Sequence, residues 1–192
     1  ITPAFETILQ RIVDANRQHE YTIGFTTNLT VWPKKVIDLV EKFSQVHLGM
    51  SIETTNHVND YARWPSKIDS VMETLDRWRE LGEQRNWIMT LRITPTPITV
   101  SHFHTVYEYA LKHSMNVESC NFLHNPRFMR VTVLPVEMRE QLAQKLEKWI
   151  ESKNIEIGQQ VLNIRNPDFR HRAVIQDALS YVDYLRNGPD EI

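Results

Sequence analysis

The sequence predicts an α/β fold, either a partial (βα) barrel or an open, mainly parallel sheet of about four to five strands with outer helices, plus C-terminal helices. Two observations lead to this prediction. Short segments rich in β-branched and aromatic residues alternate along the chain with longer amphipathic segments. Successive strand segments are separated by whole helices instead of tight hairpin turns, and parallel neighbours need such crossovers.

The helices are predicted from apolar residues at helical spacing and from residues that start or stop helices. Thr2 can cap the first helix, and Pro3 suits its first turn. Ser66 is the expected cap of a long helix that Gly82 ends, and Gly188 ends the last helix. The predicted helices cover residues 3–19, 33–43, 66–81, 135–152 and 168–186, and one more begins at Thr99 or Ser101 and ends at residue 113.

The strands are predicted from short apolar runs bounded by turn residues. They cover residues 21–27, 46–52, 87–93 and 116–122. The third strand must end where Pro95 and Pro97 follow, because proline cannot donate to a sheet. Residues 128–133 form a fifth strand or an extended segment, and residues 57–63 are irregular or briefly helical.

Composition narrows the class of protein. The chain has 192 residues, of which 41% are hydrophobic and 24% charged, as in ordinary globular domains. We predict a core over residues 1–135 and a helical extension over residues 136–192. The formal net charge of −2 gives no reason to expect nucleic acid or a membrane as a partner. No apolar run has the length of a membrane span, the start does not resemble a signal peptide, and a lone cysteine fits a reducing compartment, so we expect a cytoplasmic protein.

Polar side chains follow the predicted strands, at the edge where parallel α/β folds bind ligands. Arginine suits a carboxylate through its paired donors, and glutamate or asparagine suits a ribose. The same residue types also occur where strand ends meet solvent or cap helices, and this alternative stays open. The residues concerned are Thr26, Thr27, Asn28, Thr30, Ser51, Glu53, Thr54, Asn56, Arg63, Arg92, Thr94, Thr96, Asn121, His124 and Asn125.

Several of these residues stand in motifs that resemble those of the radical S-adenosylmethionine (SAM) enzymes, in the branch with SPASM or twitch extensions. Residues 26–30, Thr-Thr-Asn-Leu-Thr, resemble the family's TNG turn, with Leu29 where glycine is usual. Residues 49–53 followed by 61–63 resemble the family's S-[IL]-D … Y-[IA]-R segment, with Glu53 where aspartate is common. Similar segments follow in the family's order at residues 91–99, 121–126, 133–135 and 181–186.

The resemblance implies a function and a set of site residues. In that family a 4Fe–4S cluster passes an electron to SAM, and the resulting 5′-deoxyadenosyl radical abstracts hydrogen from a substrate, with peptide modification one possibility in this branch. Asn28, Ser51 and Arg63 would hold SAM, and Glu53 would contact its ribose or the substrate. The substrate side would be formed by Arg92, His124 and Asn125.

The cysteine content separates this chain from a complete enzyme of that kind. Family members hold their cluster with a CxxxCxxC loop, whereas Cys120 is the only cysteine here and is interpreted as a buried thiol. The family's GGEP turn is also absent, and residues 1–3 would fall just after it. We therefore expect a core truncated by about two βα units, inactive alone and with neither SAM nor cluster bound to this chain by itself.

A second hypothesis from a different class is a non-catalytic α/β binding or assembly module. A truncated barrel exposes sheet edges, so we predict a homo-oligomer that covers the exposed edge. A sugar-phosphate isomerase or lyase is disfavoured because the chain has five glycines and no glycine-rich phosphate loop. His102 and His104 point apart on a helix, which disfavours a metal site there.

Overall fold

The computed structural model describes residues 3–119, 123, 125–161 and 169–188, with the backbone alone at residues 3, 154–161 and 169. Helices and strands alternate up to residue 118, apart from two consecutive helices between the second and third strands, and two long helices follow. The helices are α1 (Pro3–Asp14), α2 (Lys34–Val40), α3 (Val58–Ala62), α4 (Ile68–Gln84), α5 (His104–Lys112), α6 (Val136–Val161) and α7 (Phe169–Asn187). The strands are β1 (Thr22–Thr27), β2 (Gln45–Ser51), β3 (Ile88–Arg92) and β4 (Asn116–Glu118), and 3₁₀ turns span Gln18–Glu20, Arg127–Met129 and Val131–Val133.

The strands form one parallel sheet in the order β1-β2-β3-β4. β1 and β2 pair in register from Thr22 opposite Gln45 to Thr27 opposite Met50. Because all strands run the same way, their carboxyl ends lie at one edge of the sheet. The predicted α/β class with a mainly parallel sheet and C-terminal helices is therefore confirmed. Among the described residues, no helix is long and apolar enough to span a membrane.

The chain divides into two compact units. The first contains residues 1–51 and 66–90, and the second contains residues 52–65 and 91–192. Helices α1, α2 and α4 with β1 and β2 belong to the first unit. Helices α3, α5, α6 and α7 with β4 belong to the second, and β3 contributes residues to each. The predicted division at residue 135 stays a prediction.

An aromatic cluster forms part of the core of the first unit. Trp78 on α4 is fully buried. Its ring centroid lies 4.8 Å from that of Trp32, 5.9 Å from that of Phe25 and 6.4 Å from that of Trp87. Aromatic pairs at such distances add to the free energy gained by burying their area. This cluster packs α4 against β1, against the loop that follows β1, and against Trp87, which immediately precedes β3.

The second unit is built on the antiparallel packing of α6 and α7. Arg186 on α7 forms ion pairs with Glu140 (3.0 Å) and Glu147 (2.6 Å) on α6. The last helix ends as predicted at Gly188, whose φ of +75° suits glycine and whose N–H donates to the carbonyl of Tyr184 at 2.9 Å. The Gly188 N–H thus provides a hydrogen-bond donor for one of the carbonyl oxygens in the last turn of α7.

The prediction that Gly82 ends its helix was wrong. α4 continues through Gly82 to Gln84, and Lys67, without a side-chain hydrogen bond, takes the place predicted for Ser66 as cap. A Cβ at position 82 would overlap the Met89 side chain. Gly82 is therefore explained by the close approach of α4 to β3, and a small residue inside a helix was mistaken for a stop.

Two further predictions differ from the structure. α5 begins at His104, later than predicted, because Thr99 lies in a turn where its Oγ1 accepts a hydrogen bond from the N–H of Thr96 at 3.0 Å. The optional fifth strand is replaced by the two 3₁₀ turns that end at Met129 and Val133. The brief helix expected within residues 57–63 is confirmed as α3.

Candidate functional site

Glu53 is the centre of the candidate site. The chain leaves β2 and stays paired with the end of β3, where the N–H of Ile52 donates to the carbonyl of Arg92 at 3.1 Å. The next side chain, Glu53, is therefore held beside Thr94, whose N–H donates to Glu53 Oε2 at 2.9 Å. Glu53 is 7% exposed, so its carboxylate is largely removed from water. A buried carboxylate needs such donors and a positive partner.

Arg63 supplies the positive partner. Its Nε and Nη2 donate to Glu53 Oε1 at 3.1 and 2.7 Å. Arg63 follows α3 directly, and its N–H donates to the carbonyl of Asn59 at 2.9 Å, so this single helical turn directs the guanidinium back to Glu53. The Arg63 side chain is 26% exposed and Glu53's is 9% exposed. The pair thus presents a fixed guanidinium at the surface above a buried carboxylate.

Asn59 is a member of the site that the sequence did not indicate. It is fully buried on α3, and its Oδ1 accepts a hydrogen bond from the N–H of Glu53 at 3.2 Å. Its Nδ2 is buried without a hydrogen-bond partner among the residues that the structure describes. Asn59 and Arg63 lie four residues apart, hence on one face of the turn. Its signal in the sequence was weak, because it is one polar residue in a segment that was predicted to be irregular or briefly helical.

Local hydrogen bonds fix the loop between Glu53 and α3. Asn56 Oδ1 accepts from the N–H of Val58 at 3.0 Å and from the hydroxyl of Thr54 at 3.1 Å, as asparagine does at turns. The N–H of Thr55 donates to Thr105 Oγ1 on α5 at 3.0 Å. The loop therefore holds Asn59 and Arg63 in place before any ligand arrives.

Of the other predicted residues, Thr54, Asn56 and Thr94 contribute hydrogen bonds to this site, whereas Asn28 and Ser51 do not. Asn28 caps its own turn, since its Oδ1 accepts from the N–H of Thr30 at 3.3 Å and from the Thr30 hydroxyl at 2.8 Å. Ser51 is the last residue of β2. Both belong to the first unit, whereas Glu53 and Arg63 belong to the second.

On the predicted substrate side, Arg92 forms an ion pair with Glu118 at 3.0 Å, with both side chains nearly half exposed. Asn125 is exposed in the chain after β4. His124, Asn121 and Cys120 lie outside the described residues. Among the described residues to which the resemblance assigns a ligand role, Glu53 and Arg63 are thus the two whose side chains bond each other.

Leu29, in the turn after β1, has the left-handed backbone conformation that usually favours glycine. Its φ is +64°, and its side chain is fully buried. Few residues other than glycine adopt this conformation, because the Cβ approaches the following carbonyl oxygen. The buried side chain offsets that strain by filling the core of the first unit.

A second buried polar cluster lies in the second unit. The Tyr107 hydroxyl donates to Asp177 Oδ2 at 2.8 Å and lies 2.9 Å from Ser119 Oγ, while the N–H of Ser119 donates to Asp177 Oδ1 at 3.2 Å. Burial, with the negative charge of Asp177, raises the pKa of Tyr107 well above its usual value. The cluster joins α5 and α7 to the end of β4, and Tyr107 stays protonated near neutrality.

No group of three or more histidine, cysteine or acidic side chains suited to a metal ion occurs among the described residues. Cys120 is the single cysteine of the chain, and one thiolate does not fit a 4Fe–4S cluster, which needs several. The cluster therefore does not fit this chain by itself. The Arg63 guanidinium, whose Nε and Nη2 bond Glu53, is a group of the type that binds carboxylates.

No protein-family model, no curated protein and no solved structure matches this chain. The function must therefore be argued from the residues of the site.

Proposed function

We propose that this chain forms the SAM-binding side of a radical SAM enzyme core. The observation that carries the proposal is the Glu53–Arg63 pair, fixed at the carboxyl edge of the parallel sheet. Arg63 would bind the carboxylate of the cofactor's amino-acid group, and Glu53 would accept from its ammonium group or from a ribose hydroxyl. Bound SAM would supply the chemistry of hydrogen abstraction, and the cluster would require cysteines outside this chain.

Three further features support the proposal. The Glu53–Arg63 pair comes from the two motifs that resemble the family's S-[IL]-D and Y-[IA]-R segments. Leu29 has a φ of +64° at the place where the family has glycine. Asn59 carries a buried N–H group without a partner among the described residues next to Glu53, which fits a site where one more acceptor is expected.

The gene provides the first test of this proposal. We expect the coding sequence upstream of the Ile1 codon to contain three cysteine codons in CxxxCxxC spacing, followed by a GGEP-like turn. A stop codon immediately upstream would contradict the enzyme proposal and favour the binding or assembly module.

A binding experiment tests the role of Arg63 directly. Equilibrium dialysis with radiolabelled SAM would compare the wild-type protein with Arg63→Met and Arg85→Met, in the longest chain that the gene encodes. Arg85 is the matched control, because it bonds Glu41 with the same two distances, 3.1 and 2.7 Å. We expect Arg63→Met to weaken SAM binding about tenfold or more, as loss of a charged hydrogen bond does, with Arg85→Met unchanged. Equal affinities for all three proteins contradict the proposal.

A further inference from the structure

A small cavity lies between the start of α5 and one face of α6, within the second unit. Its volume is about 90 Å³. From α6 it is lined by Leu142, Lys145, Leu146 and Trp149, which follow helical spacing, and from the α5 side by Val100, Ser101, Phe103 and His104. The cavity is distinct from the Glu53–Arg63 site, since none of its lining residues belongs to that site.

The walls of the cavity are held by bonds between the two sides. Lys145 Nζ donates to the carbonyl of Ser101 at 2.9 Å. Trp149 Nε1 donates to Glu108 Oε1 on α5 at 3.1 Å, and the Trp149 ring stacks on Tyr107 with centroids 5.6 Å apart. The cavity is therefore built into the fold, because one side chain of α6 is bonded to the turn before α5 and another, one helical turn later, to α5 itself.

The lining has the chemistry of a site for a small anion with an apolar tail. Five lining residues are apolar, Ser101, His104 and Lys145 are polar, and no acidic residue is among the described residues that line the cavity. Lys145 has three donors, one of which is used by the Ser101 carbonyl. A carboxylate can take the others while its aliphatic part contacts the apolar wall.

His104 makes the cavity responsive to negative charge. Burial, followed by the positive charge of Lys145, lowers the pKa of His104, whereas Glu108 acts in the opposite direction and His102 in the same one. A bound anion would favour the protonated ring. By thermodynamic linkage, the anion would bind more tightly as the pH falls through the pKa of His104.

The size of the cavity limits the ligand. An engineered apolar cavity of about 150 Å³ binds benzene, which has six non-hydrogen atoms. In proportion, a cavity of about 90 Å³ suits about four such atoms, which is enough for the aliphatic part of a short carboxylate whose charged end meets Lys145. From these observations we propose that the cavity is a binding site for a short aliphatic carboxylate, with Lys145 as its counter-ion and His104 as a second donor.

The test is an NMR titration of the histidine ring signals with sodium propionate, against sodium chloride at equal ionic strength. The His104 signal is assigned with His104→Gln. We expect a saturable shift with propionate and none with chloride, and a rise in the pKa of His104 when propionate is bound. Benzoate, which is too large, should leave the signal unchanged.

Two variants on α6 give the matched comparison. Lys145→Met should weaken propionate binding about tenfold or more, as loss of a charged hydrogen bond does. Lys148→Met changes a lysine that does not line the cavity and should bind propionate as the wild type does. The proposal is overturned if propionate gives no saturable shift, if benzoate binds equally well, or if both variants lose the same affinity. Circular dichroism checks that each variant is folded.

Discussion

Two glutamate–arginine pairs in this protein share one bond geometry and differ in their surroundings. Glu53–Arg63 in the second unit and Glu41–Arg85 in the first each join Nε at 3.1 Å and Nη2 at 2.7 Å to one carboxylate oxygen. The Glu53 side chain is 9% exposed and that of Arg63 is 26% exposed. In the other pair, the Glu41 side chain is 26% exposed and that of Arg85 is 50% exposed. The difference in burial, with the other bonds that reach Glu53, decides what each pair contributes.

The Glu41–Arg85 pair links α2 to the C-terminal end of α4, where a positive charge also suits the helix dipole. The Glu53–Arg63 pair is part of a network that includes Thr94 and Asn59. Removing one partner of a buried pair leaves a charge without compensation, which costs far more than losing an exposed pair. The two ion pairs therefore contribute differently to the free energy of unfolding, although their bond distances are the same.

The largest expected effect is that of Arg63→Met. This change removes the positive partner of the buried Glu53 carboxylate. The carboxylate then keeps a neutral donor, the N–H of Thr94. We expect a loss of about 3 kcal/mol in the free energy of unfolding, measured by urea denaturation followed by far-ultraviolet circular dichroism. Adding Glu53→Gln to Arg63→Met should recover part of that loss, because the uncompensated charge is then gone. A loss no larger than that of an exposed pair would show that Glu53 is well solvated.

The next effect is that of Asn59→Ala. This change removes the acceptor of the Glu53 N–H and leaves a buried donor unsatisfied. We expect a loss of about 2 kcal/mol in the same measurement. Asn28→Ala serves as the control and should cost less, because the Asn28 side chain accepts its hydrogen bonds from Thr30 within an exposed turn. Equal costs at the two positions would remove Asn59 from the network.

A smaller effect is expected for Arg85→Met. Since the Glu41–Arg85 pair is more exposed than the Glu53–Arg63 pair, its loss should cost about 0.5 kcal/mol or less. The measurement is again urea unfolding, now at the ionic strength used for Arg63→Met. A cost close to that of Arg63→Met would mean that geometry outweighs burial, and the contrast between the pairs would fail.

The smallest effect is the response of the two pairs to salt. At 1 M salt the Debye length is about 3 Å, so exposed charges are well screened. Double-mutant cycles with Glu41→Gln and Arg85→Met should give a coupling energy that falls by a few tenths of a kcal/mol between low and high salt. The corresponding cycle for Glu53 and Arg63 should change less. The opposite order would show that solvent reaches Glu53 more readily than Glu41.

Much of the fold could be predicted from the sequence, because strands and helices carry their own periodicity. Element ends were harder. Gly82 was taken as a stop, although the deciding contact is with Met89, which lies on the next strand. Thr99 or Ser101 was taken as a helix cap, although the Thr99 hydroxyl serves a turn that precedes α5. In both places a distant or competing partner determined the outcome, and residue type did not show it.

The candidate site was predictable only in part. Glu53 and Arg63 could be named from their motifs and from their place after β2. The sequence did not show that they bond each other, since that depends on the single turn of α3 that directs Arg63 back. Thr94 was among the candidates that follow the third strand, but the group it contributes is its backbone N–H, which residue type does not show. Asn59 was missed because its role depends on burial.

The aromatic cluster around Trp78 gives the first unit a strong near-ultraviolet signal. Trp32, Trp78 and Trp87 all belong to the first unit, where close rings couple their electronic transitions. The second unit contains Trp64, which is 81% exposed, and Trp149. Near-ultraviolet dichroism therefore has a large contribution from the three tryptophans of the first unit, beside that of the stacked Trp149 and Tyr107 rings of the second. Far-ultraviolet dichroism is weighted towards the long helices α6 and α7 of the second unit. If the two signals are lost at the same urea concentration, the units unfold as one cooperative body. If they are lost at two different concentrations, the units unfold separately.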